Sequence, residues 1–167
     1  MTNRLVYFRP MRLVHLRAMG PYETARTAAW KRMFEWLNSR GLHKMPGCGY
    51  GLLLDDPKIT PRDECRYDAC VDLMSVGEVG LDGGVMIRRL PPGAFARTRH
   101  AGSYMKMNDT VRNLRETWLP QNGLLVDTRR PFVEVYLDDP RGRPDEKQRS
   151  ECCIPVIPDQ RENNAAA

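Results

Sequence analysis

The sequence lacks any long apolar run, and this absence limits where the protein can reside. No stretch reaches the ~18 consecutive apolar residues that a transmembrane helix needs. The N-terminus also lacks an apolar segment of the secretory type, because Arg4, Arg9 and Arg12 interrupt it early. We therefore expect a cytoplasmic protein with no membrane partner.

Cysteine and histidine are too scattered for a metal site or a disulfide framework. The five cysteines form an odd set without a CxxC pair, and His15, His43 and His100 lie far apart in the sequence. Reduced, partly buried thiols in a cytoplasmic protein are the simplest interpretation. The sequence thus predicts no metal, and no motif in it indicates a cofactor.

Motifs for nucleotide binding, nucleophilic catalysis and DNA recognition are missing as well. Gly47, Gly49 and Gly51 alternate, but no helix follows them closely enough to cradle a phosphate. No Ser-His-Asp or Cys-His pattern can be placed. The 26 basic residues are biased to the second half, but many of the 21 acidic residues interrupt them. We therefore expect these charges to form a solvated surface. Because a helix-turn-helix pattern is missing, we also expect no direct sequence-specific DNA binding.

What the sequence does contain is an internal repeat. Landmark residues first recur at a constant offset of 82, in the pairs Gly20 and Gly102, Tyr22 and Tyr104, Trp36 and Trp118, Leu37 and Leu119, and Gly41 and Gly123. One inserted residue later the offset is 83, in the pairs Asp55 and Asp138, Asp56 and Asp139, Pro57 and Pro140, Arg66 and Arg149, and Cys70 and Cys153. Two long copies are too few for a solenoid.

Each copy is predicted to form one βαββ module, and two modules can pair their open sheet edges across a symmetric seam. The length of 167 residues suits one domain over residues 1–158, with copy one at about 4–74 and copy two at about 85–158. The polar end of the chain, 159–167, is predicted to be a disordered tail.

Periodicity and turn residues locate the elements within each module. Leu5–Met19 alternates as one or two strands, and an amphipathic helix begins at Tyr22 and stops at Gly41. The other predicted segments are a strand over Cys65–Leu73, a crossover over Ser75–Leu90, a second helix from about Tyr104 to Trp118, and strands over Phe132–Leu137 and Cys152–Ile157.

Glu134 departs most clearly from the repeat. It lies in the middle of an apolar strand, where an uncompensated carboxylate costs several kcal/mol of desolvation. Period-two alternation puts Phe132, Glu134 and Tyr136 on one face of that strand. The equivalent position in copy one is Gly51, which removes side-chain volume beside the acid. We interpret this pattern as a cavity with one acid at its floor and aromatic walls.

Two interpretations of Glu134 stay open at this point. An anionic floor among aromatic faces would attract an organic cation or a polarised apolar molecule. Alternatively, Glu134 pairs with a nearby arginine such as Arg66 or Arg149 and serves structure only. The missing equivalent in copy one favours function, since a purely structural pair would more easily appear twice.

Tyr67 and the tryptophans are the other candidates. The hydroxyl of Tyr67 needs a buried partner, which is either Glu134 or the backbone. With Glu134 it could act as acid and base in adding water to a strained or activated substrate. Trp30 has no tryptophan counterpart and could line the pocket, whereas the paired Trp36 and Trp118 are predicted to pack the core.

Taken in order, these landmarks resemble the GyrI-like small-molecule-binding superfamily, which includes DNA gyrase inhibitor proteins and the effector-binding domains of regulators such as Rob, of the AraC type, and BmrR. The resembling segments are Gly20-Pro21-Tyr22, Trp36-Leu37, Asp55-Asp56-Pro57, Cys65-Arg66-Tyr67-Asp68, Pro92-Gly93-Ala94-Phe95-Ala96, His100-Ala101-Gly102-Ser103-Tyr104, Trp118-Leu119-Pro120, Phe132 to Tyr136 and Ile154-Pro155-Val156. The resemblance covers roughly residues 4 to 158.

The resemblance implies an α+β fold in which two duplicated βαββ modules, related by a pseudo-two-fold axis, form an antiparallel sheet with helices on one face. It also implies a central pocket in which a glutamate, here Glu134, meets cationic or lipophilic ligands. The expected ligand-binding residues are Glu134, Tyr67, Phe132, Tyr136, Trp30, Trp118 and Gly51. Because no DNA-binding segment is visible, the chain resembles the stand-alone members.

Three functions are open. The first is binding of cationic or lipophilic aromatic small molecules, in transcriptional or drug-response regulation with a DNA-binding regulator as partner. The second is inhibition of DNA gyrase by protein contact. The third is hydrolysis of cyclopropane-containing alkylating agents, for which the resemblance carries over Glu134 and Tyr67, with Trp118, as catalytic residues.

Overall fold

A computed structural model describes residues 2–77 and 80–161, and the strands of these residues form one antiparallel sheet of nine members. The strands are β1 (Arg4–Phe8), β2 (Met11–Met19), β3 (Gly49–Leu53), β4 (Arg66–Asp72), β5 (Met86–Leu90), β6 (Gly93–Ala101), β7 (Leu124–Val126), β8 (Phe132–Tyr136) and β9 (Arg149–Pro158). Their order is β1-β6-β9-β8-β3-β4-β2-β5, and β7 pairs with β9 alone. The two modules meet where β3 of the first pairs with β8 of the second.

The helices are α1 (Tyr22–Ser39), α2 (Leu73–Val76), α3 (Met107–Asn113) and α4 (Leu119–Gln121). A 3₁₀ turn (Tyr104–Lys106) precedes α3, and a π-helical turn (Leu114–Trp118) joins α3 to α4. The long helix of the second module therefore consists of several short pieces, whereas α1 is regular. Within the described ranges, the helices are too short or too polar to cross a membrane.

Several strands and both Asp-Asp-Pro turns follow the repeat closely. Strands β2 and β6 begin and end at positions 82 apart, and β3 and β8 at positions 83 apart. The turns also match. Asp55 accepts hydrogen bonds from the backbone and guanidinium of Arg66 at 2.8–3.0 Å, and Asp138 accepts the same set from Arg149 at 2.8–3.1 Å. The predicted α+β fold of two pseudo-symmetric βαββ modules is thus confirmed.

A single bent ladder brings the two ends of the sheet together. In the β1–β6 ladder Phe8 lies opposite Gly93, and in the β2–β5 ladder Met11 lies opposite Leu90, so both ladders share one register. Between the two ladders lie positions 9–10 of one segment and 91–92 of the other, and these include Pro10, Pro91 and Pro92. Proline has no N–H to donate, so the ladder is interrupted and bends at this point. The sheet must consequently curve, because β1 continues into β2 at the opposite end of the strand order.

This curvature explains why both faces of the sheet are buried. One face packs against the helices through a large cluster that includes Leu16, Trp36, Tyr67 and Tyr136. On the other face, buried strand residues pack against one another: Leu13, Leu52, Cys70, Leu90, Phe95, Val133, Val135 and Cys153. The predicted alternation along β8 is therefore correct, although neither face of the sheet is left to solvent.

The differences from the predicted elements lie at strand ends, in the crossover and in the second helix, which is divided into several short pieces. The segment predicted as a crossover contains α2 and the edge strand β5, and β7 was not predicted at all. The last strand, β9, is longer than predicted at both ends. The predicted tail at 159–167 falls largely outside the described residues.

Candidate functional site

Glu134 lies at the centre of the sheet and is held by an arginine of the first module. It faces Gly51 on β3 and Cys152 on β9, and it is 3% exposed. The Nε atom of Arg26, on α1, donates to Oε2 of Glu134 at 3.1 Å, and its Nη2 atom donates to Oε1. Burial alone would lower the pKa of Arg26, but the nearby carboxylate raises it, so the guanidinium keeps its charge. Each ion of this buried pair is thereby neutralised within the chain.

Two tyrosines complete the hydrogen bonds of the carboxylate. Tyr67 donates to Oε2 of Glu134 at 3.1 Å, Tyr136 also donates to Oε2, and the two hydroxyls are 2.8 Å apart. The indole Nε1 of Trp30 donates to the hydroxyl of Tyr67 at 3.0 Å. Burial, followed by the charge of Glu134, raises the pKa of both tyrosines, so their hydroxyls stay neutral.

Gly51 is required by the close approach of this network. A Cβ atom at Gly51 would lie 2.1 Å from the hydroxyl of Tyr67 and 2.9 Å from Oε2 of Glu134. Contacts this short do not occur in folded proteins, so only glycine fits without displacing Tyr67. The volume that the missing side chain leaves is therefore filled by the network, and the cavities lie on either side of it.

The first cavity, which we call the Trp30 cavity, has a volume of about 500 Å³. Its main lining residues are Arg26, Trp30, Phe34, Met45, Tyr104 and Tyr136. The rings pack closely: the centroid of Tyr136 is 5.2 Å from that of Trp30 and 4.5 Å from that of Tyr104, both edge to face. This cavity is therefore an aromatic box with one guanidinium in its wall.

The second cavity, which we call the Arg112 cavity, is the pseudo-symmetric counterpart of the first, at about 390 Å³. At the repeat offsets, residues lining the two cavities correspond as Tyr104 with Tyr22, Arg26 with Asn108, Trp30 with Arg112, Phe34 with Glu116, and Tyr136 with Leu53. Glu134 lines the Arg112 cavity and Arg26 lines the Trp30 cavity, so the ion pair separates them.

Residues 1–157 match the model of the GyrI-like small-molecule-binding domain. The chain belongs to this family. The resemblance seen in the sequence is thereby confirmed over nearly the whole chain. No match is found among curated protein sequences.

Several solved structures share the fold of this GyrI-like domain at low sequence identity. The chain is similar to EcmrR in a DNA complex, with a TM-score of 0.73, 17% identity and coverage of 94% of this chain but only 57% of the EcmrR chain. Against the C-terminal domain of EcmrR the TM-score is 0.68 at 16% identity, covering 94% and 98% of the two chains. For SAV2435 bound to tetraphenylphosphonium the TM-score is 0.61, with 15% identity and 94% coverage of each chain. A hydrolase from Listeria innocua gives 0.59, with 18% identity over 93% and 91%.

Within the GyrI-like domain, the predicted site residues separate into three groups. Glu134, Tyr67 and Gly51 form the buried network, with Tyr67 fully enclosed. Trp30 and Tyr136 line the Trp30 cavity, and Phe132 lines the Arg112 cavity. Trp118 lies apart from these residues.

Trp118 packs against a separate cluster with Leu119 and Ile154, as its repeat partner Trp36 packs against the main core. The interpretation that Glu134 pairs with an arginine is correct, but the arginine is Arg26. The two examples, Arg66 and Arg149, were wrong, because each binds the aspartate of its own turn.

Sequence reasoning missed Arg26, which holds Glu134, and Phe34 and Tyr104, which complete the aromatic walls. The repeat contained the signal for the first two. At the repeat offset of 82, Arg26 corresponds to Asn108 and Phe34 to Glu116, just as Trp30 corresponds to Arg112. Among the described residues, no three His, Cys, Asp or Glu side chains gather as a metal site would require.

Proposed function

We propose that this GyrI-like domain binds a lipophilic aromatic small molecule in the Trp30 cavity. The observation that carries the proposal is the difference between two cavities on one duplicated scaffold. In the Arg112 cavity, the scaffold is built with arginine, glutamate and leucine at the positions where the Trp30 cavity has Trp30, Phe34 and Tyr136. Since the fold does not need aromatic rings there, a ligand is the better explanation of them.

The size and chemistry of the Trp30 cavity support this proposal. Its volume of about 500 Å³ lies within the range of ~300–1,000 Å³ that is usual for small-molecule sites, which combine apolar walls with a few polar groups. Trp30 and Tyr136 are buried with their faces and edges already in place. A preformed aromatic wall of this kind lowers the entropic cost of binding a flat or ring-bearing ligand.

Two fold neighbours support a regulatory role for such binding. SAV2435 shares the fold and has been determined with tetraphenylphosphonium, a molecule of four phenyl rings. EcmrR shares the fold in its C-terminal domain and occurs in a complex with DNA. We therefore propose that ligand binding serves regulation, with a DNA-binding regulator as the partner.

A thermal-shift screen with matched variants tests the ligand site. Aromatic compounds, both cationic and uncharged, are screened for a rise in the melting temperature, since a ligand of the native state stabilises it by mass action. The variant Phe34→Glu copies the residue of the second module and should abolish the shift. Glu116→Ala, its counterpart in the Arg112 cavity, should keep it. A shift that survives Phe34→Glu but disappears in Glu116→Ala would indicate binding in the Arg112 cavity and contradict the proposal.

Hydrolysis is the second candidate, because the contact that it requires is present. Tyr67 and Glu134 are within hydrogen-bond distance, 3.1 Å between hydroxyl and Oε2. In the expected reaction one C–C bond of a cyclopropane ring in the alkylating agent breaks, the hydroxyl of a water molecule bonds to one of the two carbons and a proton to the other. Mass spectrometry detects the product by its gain of one water. Tyr67→Phe should abolish this product, and product formation at the wild-type rate would exclude Tyr67 as the acid.

Inhibition of DNA gyrase by protein contact stays a prediction from the family resemblance. A supercoiling assay tests it directly. Inhibition that persists in Phe34→Glu would support a protein-contact mechanism independent of the Trp30 cavity. No effect at high molar excess would count against it.

A further inference from the structure

We infer that Arg26 sets the charge class of the ligand, so that the Trp30 cavity selects uncharged aromatic molecules carrying a hydrogen-bond acceptor and discriminates against organic cations. This inference rests on the proposed ligand site and specifies the kind of molecule that fills it. It differs from the expectation for an anionic floor, in which Glu134 itself would attract a cation.

The carboxylate of Glu134 already has a cation of the chain itself as its partner. Arg26 binds both of its oxygens, and the hydroxyls of Tyr67 and Tyr136 contact Oε2 in addition. Arg26 and Glu134 are 5% and 3% exposed. An organic cation in the Trp30 cavity would therefore meet a guanidinium before it met the acid. Arg26 occupies, within the chain, the place that a bound cation would take.

The guanidinium also has a donor that can face a ligand. Its Nε and Nη2 atoms bind Glu134, and none of the described residues accepts a hydrogen bond from Nη1. Because Arg26 lines the Trp30 cavity, a carbonyl, phosphoryl or ring-nitrogen acceptor in the cavity is the natural partner of that amino group. At the rim, the opposite charges of Lys31 and Asp145 offset each other. The charged group nearest to a ligand inside is thus the guanidinium end of the Arg26–Glu134 pair.

The second module shows that the scaffold does not need this arginine. Its counterpart is Asn108, an exposed residue of α3, and the counterpart of Glu134 is Gly51. The ion pair is therefore an addition of one half only, beside the cavity that also carries the added aromatic rings. A pair whose role was only to join the modules would have no reason to sit at that cavity.

The test compares two probes that differ mainly in charge, methyltriphenylphosphonium and triphenylphosphine oxide, by isothermal titration. Wild-type protein should bind the oxide at least about tenfold more tightly than the phosphonium, and Arg26→Met should reverse this preference. Arg26→Met/Glu134→Gln removes both charges and should bind the two probes within about threefold of each other. Arg112→Met removes one arginine from the other cavity and should retain the wild-type preference.

The outcomes separate failure of this inference from failure of the ligand site. If both probes bind and the double variant keeps the wild-type ratio, Arg26 does not determine the charge class. Tighter binding of the phosphonium by the wild type would overturn the inference outright. If neither probe binds any form of the protein, the proposed ligand site is wrong, and the inference falls with it. Should Arg26→Met fail to fold, the double variant alone decides the question.

Discussion

Replacing Gly51 by alanine perturbs the buried network at its most crowded point. The new Cβ atom would lie 2.1 Å from the hydroxyl of Tyr67, so that hydroxyl must move by about 1 Å to reach an ordinary contact distance. A shift of this size weakens its hydrogen bonds with Trp30, Tyr136 and Glu134, which are 2.8–3.1 Å long. The substitution therefore combines steric overpacking with loss of donors to a buried carboxylate.

The expected loss of stability follows from these two effects. Overpacking a core costs about 1–3 kcal/mol, and leaving a buried polar group short of a partner costs about 1–3 kcal/mol more. Against this, alanine gains about 0.4–1 kcal/mol by restricting the unfolded chain. We expect Gly51→Ala to lower the free energy of unfolding by about 2–4 kcal/mol, measured by urea denaturation. Gly142→Ala is the control: an added Cβ there has no heavy atom within 4 Å, so it should change stability by less than about 0.5 kcal/mol.

A double-mutant cycle identifies the cause. Tyr67→Phe removes the hydroxyl and leaves Cζ, 2.8 Å from the added Cβ, as the nearest atom of that ring. The combined variant Gly51→Ala/Tyr67→Phe should therefore be more stable than the sum of the single changes predicts, by at least about 1 kcal/mol. Additive effects, or a loss below about 1 kcal/mol in Gly51→Ala, would refute the reasoning.

Three further predictions concern charge. Arg26→Met should lower the free energy of unfolding by about 3–5 kcal/mol, because it leaves Glu134 buried without its cation. Arg26→Met/Glu134→Gln should lose much less. Equal losses of the two variants in urea denaturation would contradict a stabilising role of the ion pair. Burial lowers the pKa of His15, so the unfolded chain binds more protons and stability should fall as pH drops from about 7 to about 5. His15→Gln should flatten that dependence and the exposed control His43→Gln should not. Hydrogen bonds from Arg66 lower the pKa of Asp55. The stability that Asp55 contributes is therefore present above the ordinary aspartate pKa of about 4 and is lost as pH falls below it. In Asp55→Asn the free energy of unfolding should therefore fall less steeply below pH ~4 than in the wild type. An unchanged slope would argue against this role of Asp55.

The repeat made most of the fold predictable. Once the offset is known, the turns at Asp55 and Asp138, the helix start at Tyr22 and the 3₁₀ turn at Tyr104 follow from local chemistry. The missed strand β5 is also at the repeat offset from β1, but its own sequence hides the alternation, since it contains Arg88 and Arg89. Arg88 is partly buried because Asp68 on β4 binds it, a contact between distant segments that no local pattern reveals.

Some members of the site were predictable from the sequence, but the contacts between them were not. Departures from the repeat pointed to Glu134 and Trp30, and the need of a buried hydroxyl for a partner pointed to Tyr67. Hydrogen bonds join these three side chains in the structure. They could not indicate which arginine approaches Glu134. Several arginines were available, and the choice depends on how α1 crosses the sheet. Arg66 was a reasonable candidate by proximity along β4, but its own turn aspartate binds it first.

The most direct test of the account is a crystal structure of the domain with an aromatic compound found in the thermal-shift screen. We expect the compound between Trp30 and Tyr104, with an acceptor atom within hydrogen-bond distance of Nη1 of Arg26 and the Arg26–Glu134 pair intact. A ligand bound instead in the Arg112 cavity, against Arg112 and Glu116, would contradict the claim that the aromatic departures from the repeat mark the site.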